Sequence, residues 1–152
     1  MVDSSAIGRS FAPTHARVEP GRLHYFLNTL GETNPVFRDP AVAEAAGFAA
    51  PPIPPTYLFC LEMMDAGNSF EMFEELGVDI RRVLHGEQKF VYHAPVVVGD
   101  ELTLQSTVTG VTHKKRGAMT LLDVTTRIVN QHGEHVADAT RVAVIRNPVA
   151  AR

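Results

Sequence analysis

The segment Thr56-Tyr57-Leu58-Phe59-Cys60-Leu61-Glu62-Met63-Met64-Asp65-Ala66 is apolar nearly all the way round a helix. Pro54 and Pro55 precede it, where proline suits a first helical turn, and Gly67 follows as a stop. Tyr57, Leu58, Phe59, Cys60, Leu61, Met63 and Met64 leave almost no polar side. Such a helix must be buried nearly all round, and it is too short to span a bilayer. A chain that carries it has to supply a concave apolar wrapper. The strand-rich second half is the one candidate.

The chain has 152 residues, read as one domain over 1–152 with room for a core that needs no staples. A net charge of -3 argues against a general nucleic-acid binder or a binder of anionic membranes. Cys60 is the one cysteine, so no internal disulfide forms, and its neighbours suit a small buried hydrophobe. The first residues carry no apolar run of the signal-peptide kind and no transmembrane segment follows, which makes the cytoplasm the expected location.

Residues 1–10 read as a loose arm. Phe11 to Glu19 suits a short strand, which Pro13 confines to a sheet edge or a bulge. Glu19-Pro20-Gly21 opens a helix with Leu23, Phe26, Leu27 and Leu30 on one face, ended by Gly31. The prolines of Glu32-Thr33-Asn34-Pro35-Val36-Phe37-Arg38-Asp39-Pro40 make a rigid, extended connection. Asp39 caps a short helix over Ala41 to Ala46. The segment from Asn68 to Asp79 fits either a short amphipathic helix or a lid.

From Val83 the hydrophobic period becomes two. Leu102, Leu104, Ser106 and Val108 share one face, and Leu122, Val124, Thr126 and Ile128 share another. Turns at 98–100, 114–117 and 131–134 are short, so consecutive strands run antiparallel. A curved antiparallel sheet around one buried helix, of about residues 55–66, is an α+β hot-dog fold. An open sheet of this kind leaves edges, so pairing with another hot-dog subunit is expected, as a homodimer or a heterodimer.

Leu30-Gly31-Glu32-Thr33-Asn34-Pro35-Val36-Phe37, with Ala43 six residues on, resembles the signature of the R-specific enoyl-thioester hydratases, the MaoC-like dehydratase family. There the pattern reads Gly-Asp-x-Asn-Pro-aliphatic-His. Leu84-His85-Gly86-Glu87-Gln88, then Tyr92-His93-x-Pro95 and Gly99-Asp100, resembles a block of the family's N-terminal-type (FAS1-like dehydratase) domain. Together the resemblance covers about residues 11 to 146. It implies water addition across the 2,3 double bond of an acyl thioester carried on coenzyme A or acyl carrier protein. That chemistry needs a carboxylate and a histidine around one water, and N–H donors for the thioester oxygen. It calls for no metal or redox cofactor.

Residue by residue, the chain departs from that pattern. Glu32 stands at the Asp position, one methylene longer, and displacements near 1 Å cost on the order of a hundredfold in rate. Phe37 stands at the His position, where a phenyl ring moves no proton. Pro51, Pro52, Pro54 and Pro55 precede the central helix where active members carry His-Gly, and proline has no N–H to donate. The resemblance therefore implies an acyl-binding, catalytically incomplete subunit that works beside a catalytic partner.

Other candidates carry two readings each. Asn34 shapes the catalytic turn or simply stabilises an Asn-Pro turn. His85 and Glu87, two apart on a strand, share a face and make a substitute acid/base pair or a structural network. Tyr57, Phe70, Met72, His85 and Gly86 are candidate acyl-binding residues, against a plain packing role. Lys115 and Arg116 meet coenzyme A phosphates or an acidic carrier protein, or form a solvated turn. His93, His113, His132 and His135 show no metal-ligand spacing. Rival functions are a self-sufficient hydratase using Glu32, a hot-dog thioesterase, and an acyl-CoA-sensing dimer without catalysis.

Overall fold

The computed structural model describes residues 1–148. Five strands, β1 (Thr14–Arg17), β2 (Val83–Tyr92), β3 (Glu101–Lys114), β4 (Met119–Val129) and β5 (His135–Arg146), form one sheet. Their order is β1-β3-β4-β5-β2, antiparallel throughout. Helices α1 (Pro20–Leu30), α2 (Pro40–Ala45), α3 (Tyr57–Asp65) and α4 (Glu71–Glu75) join β1 to β2. The sheet curls as a half-barrel, with α3 packed in its concavity. Among the described residues no helix is long and apolar enough to cross a membrane.

Local chemistry sets the helix limits. Glu19 caps α1 by accepting bonds from the N–H groups of Gly21 and Arg22, and Gly31 ends it at φ 67°, the left-handed turn that glycine takes without strain. Asp39 caps α2 through the N–H groups of Ala41 and Val42. The ambiguous stretch after Gly67 contains α4, which buries Met72 and Phe73 and presents acidic residues to solvent.

The core follows the period-two pattern. Leu102, Leu104 and Val108 of β3 and Leu122, Val124 and Ile128 of β4 are buried on the concave face. Tyr57, Leu58 and Leu61 of α3 are buried with Leu102, Leu104 and Ile128, while Met72 and Phe73 of α4 are buried with Val108, Leu122 and Val124. Two features differ from the sequence expectations. First, α3 is not covered all round: Phe59, Cys60 and Met63 are half-buried and Met64 is 52% exposed. One open sheet can close over only one side of a helix. Second, residues 1–10 are not a loose arm. The N–H groups of Gly8 and Phe11 bond to the carbonyls of Val108 and Ser106, the carbonyl of Arg9 accepts from Val108, and Val2 is buried against β3 and β4. The arm continues the edge that short β1 leaves unpaired.

Candidate functional site

The motif loop between α1 and α2 is built by its own side chains. Glu32 Oε1 accepts a bond from the Asn34 N–H at 2.8 Å, and Asn34 Oδ1 accepts from the Val36 N–H at 3.0 Å. Arg38 Nη2 donates to the Glu32 carbonyl at 2.8 Å while its Nη1 lies 3.1 Å from His24 on α1. Asn34 thus closes the turn that its residue type favours, and Glu32 spends one carboxylate oxygen in the same loop. The single turn Pro35–Phe37 then directs Phe37 inward against the core.

Phe37 forms one wall of an open apolar recess of about 450 Å³, with Pro52, Pro55, Tyr92 and Pro95 among its other walls. Tyr92 is the phenol in that set. Its hydroxyl donates to the Pro55 carbonyl at 2.9 Å, and burial pushes its pKa well above the ordinary phenol range. It therefore stays protonated at neutral pH and abstracts no proton there.

The approach to α3 offers no spare amide across residues 51–55. Pro51, Pro52, Pro54 and Pro55 have no N–H, and the Ile53 N–H is bonded to the Val96 carbonyl at 2.9 Å. Pro52 bridges to Val97, and the Pro51 carbonyl accepts from Val98, so the segment lies as an extra strand against the chain leading into β3. An oxyanion needs a donor aimed at it, and this backbone presents none.

The remaining candidates separate into groups. Phe70 and His85 line a second recess of about 160 Å³ between α3 and strands β2 and β5, and the Phe59 and His85 rings meet edge-on at 5.1 Å. Met72 lines a third recess of about 310 Å³ near the end of α3. Tyr57 is fully buried, its ring 4.9 Å from that of Phe26, with no hydrogen-bond partner for its hydroxyl. Gly86 is the extra residue of a bulge in β2, where a Cβ would lie 2.8 Å from Val144 Cγ2 and 3.1 Å from the Val142 carbonyl oxygen. Lys115 and Arg116 stand exposed on the β3–β4 turn, both with left-handed backbone at φ 51° and 53°. None of the three recesses includes them.

The bulge corrects one expectation. His85 pairs with Ala143 and Glu87 with Val142, adjacent residues on opposite faces of β5. The inserted Gly86 shifts the parity, so His85 and Glu87 face opposite ways and make no pair.

Two charged groupings were not legible in the sequence. Glu62, the one charge within the apolar run before Asp65, is buried on α3, and its Oε1 accepts from Ser106 and Thr126 at 3.2 and 3.0 Å. Arg141 Nη1 lies 3.3 Å from the same oxygen. At the far end of β5, Asp138 lies between His93 and His135, and these are the described residues whose spacing suits a metal ion. Burial opposes ionisation of Asp138, but the bonds from His93 and then His135 hold its carboxyl below the usual range.

A curled sheet around α3, with an Asn-Pro motif loop beside an apolar recess, defines a protein of the MaoC-like hot-dog dehydratase class. The chain belongs to the FAS1-like dehydratase domain region family, whose sequence profile matches residues 5–139. It is 38% identical over 147 residues to the UPF0336 protein of Streptomyces avermitilis, an alignment spanning 95% of each chain. In structure it resembles the C-terminally truncated HadBC (3R-hydroxyacyl-ACP dehydratase) complex of Mycobacterium tuberculosis. That likeness has a TM-score of 0.80 and 21% identity, and covers 91% of this chain and 96% of the other. A MaoC-like dehydratase superposes with a TM-score of 0.82 at 22% identity, over 94% of this chain and 43% of the larger protein.

Proposed function

We propose that this chain is the acyl-binding, catalytically incomplete subunit of an (R)-3-hydroxyacyl-thioester dehydratase, or enoyl-thioester hydratase, of fatty-acyl metabolism. Its substrate is an acyl thioester of coenzyme A or acyl carrier protein. The partner is a second hot-dog subunit that supplies the Asp and His around the reacting water. The observation that carries this reading is Phe37 in the recess at the approach to α3, beside a backbone with no free N–H over residues 51–55. Glu32 keeps a carboxylate in the motif loop, but no imidazole stands at the motif's last position to share a water with it.

The half-exposed flank of α3 and the open β2 edge supply surface for that partner. The related HadBC structure is a complex of two kinds of subunit, which supports the same arrangement here. In this reading Phe37 shapes the thioester end of the pocket, with Asn34 and Glu32 bracing its loop. Phe70, Met72 and His85 form the walls for the acyl chain, and Tyr57 and Gly86 set the position of those walls.

The test is turnover of an enoyl thioester, followed by loss of its conjugated absorbance. The purified chain alone should bind the thioester without bleaching it, whereas the chain mixed with its catalytic partner should bleach it. Robust turnover by the isolated chain would overturn the proposal, and release of free thiol instead would mark a thioesterase.

A further inference from the structure

His93 directly follows the last residue of strand β2, and His135-Val136-Ala137-Asp138 opens β5. On a regular strand, residues three apart face opposite sides. Here Ile128 pairs with Ala137 and Val129 with His135, which leaves Val136 as an extra residue and turns His135 to the side of Asp138. Burial of both Val136 and Ala137, consecutive in sequence, is the mark of that insertion. The Val136 carbonyl accepts bonds from the N–H groups of both His93 and Ala94, at 2.8 and 3.2 Å, which stitches the end of β2 to the same bulge. Asp138 stands opposite Val91 on β2, and His93 lies two residues beyond Val91, on the same face.

The result is a compact set of three ligating side chains. Asp138 Oδ2 is 2.7 Å from His93 Nε2, and Asp138 Oδ1 is 2.9 Å from His135 Nε2. The imidazole centroids are 4.4 Å apart, tilted by 49°, and all three ligand atoms lie within 4.8 Å of one another. We propose that His93, His135 and Asp138 form a zinc site that clips the end of β2 to the start of β5.

Tetrahedral zinc with nitrogen and oxygen ligands at about 2.0–2.1 Å sets those ligands about 3.3 Å apart, so the Asp138–imidazole distances of 2.7 and 2.9 Å would open slightly and the two imidazole nitrogens, within 4.8 Å, would draw in around the ion. Two imidazoles and one carboxylate suit zinc and leave its fourth position to water, whereas magnesium and calcium demand oxygen ligands. The three side chains are 40%, 32% and 29% exposed, so the ion reaches them from solvent without unfolding. Cys60 takes no part, since it lies in α3 against the core.

Tag-free, chelator-treated protein titrated calorimetrically with zinc chloride should bind one ion per chain, at micromolar concentration or tighter, and ignore magnesium chloride. Zinc should also raise the melting temperature, as any ligand of the folded state does. His135→Ala and Asp138→Asn should each weaken binding by at least about tenfold, the loss typical even of residues that merely orient ligands. His113→Ala should change nothing. Cobalt added to the wild type gives a readout that needs no variant to fold: visible d–d bands without a thiolate charge-transfer band support the site. A thiolate band, no binding at all, or undiminished affinity in both variants would overturn it.

Discussion

Glu62 and Arg141 meet inside the half-barrel, Oε1 to Nη1 at 3.3 Å, with side chains only 10% and 14% exposed. The carboxylate rests on Ser106 and Thr126, whose hydroxyls lie 2.8 Å apart and bring a polar stripe into the apolar face of β3 and β4. Each partner is tolerable there because of the other. Arg141→Met should therefore destabilise the fold by about 3 kcal/mol in urea denaturation, since it leaves a buried carboxylate without its cation. The double variant Glu62→Met with Arg141→Met should be milder than Arg141→Met alone. A single variant as stable as the wild type would show that the pair carries no weight.

Gly86 is fixed by contact rather than by backbone angle. An alanine Cβ would press on Val144 Cγ2 at 2.8 Å and on the Val142 carbonyl oxygen at 3.1 Å. Gly86→Ala should lower stability by about 1–3 kcal/mol, the usual range for overpacking. Adding Val144→Ala should recover part of that loss, because only the side-chain half of the clash is removed. Melting curves of the two variants and the wild type settle the order.

Restoring the motif by side chains alone should fail. The double variant Glu32→Asp with Phe37→His rebuilds the acid and the base but leaves the Ile53 N–H committed to Val96 and prolines on both sides of it. Without an oxyanion donor the missing stabilisation is about 3–4 kcal/mol per donor. Isolated double variant should show no bleaching of an enoyl thioester above the wild-type background. Turnover well above that background would mean that a donor exists elsewhere.

The first ten residues should contribute to stability. Val2 is 3% exposed and two backbone bonds, from the Gly8 N–H and to the Arg9 carbonyl, tie this segment to Val108 of β3. Their deletion should cost at least about 2 kcal/mol, roughly the burial of one valine side chain plus its neighbours. A truncated chain with an unchanged denaturation midpoint would return these residues to the status of an arm.

The central helix, the edge strand limited by Pro13, the helix opening at Glu19-Pro20-Gly21, the cap at Asp39 and the inward faces of β3 and β4 were all legible, because each rests on local chemistry or a simple period. The lone charge Glu62 gave no warning of its fate, since its partner Arg141 lies 79 positions on and only the fold joins them. His85 and Glu87 misled for the opposite reason: the period-two rule holds until a bulge, and the glycine that makes the bulge sits between them. His93, His135 and Asp138 were hidden by a second bulge at Val136, which alters parity with no glycine to announce it. Long-range pairing and register slips are what a one-dimensional reading lacks.

The bridge from Pro52 to Val97 makes the lack of a free amide over residues 51–55 a property of the main chain. Side-chain reversion leaves that backbone unchanged, whereas transplanting the whole 51–55 segment from an active relative would change which amides face the recess beside Phe37. If the chain works beside a catalytic partner as proposed, independence would demand a coordinated exchange of several backbone-setting residues together, a far larger change than the return of one histidine.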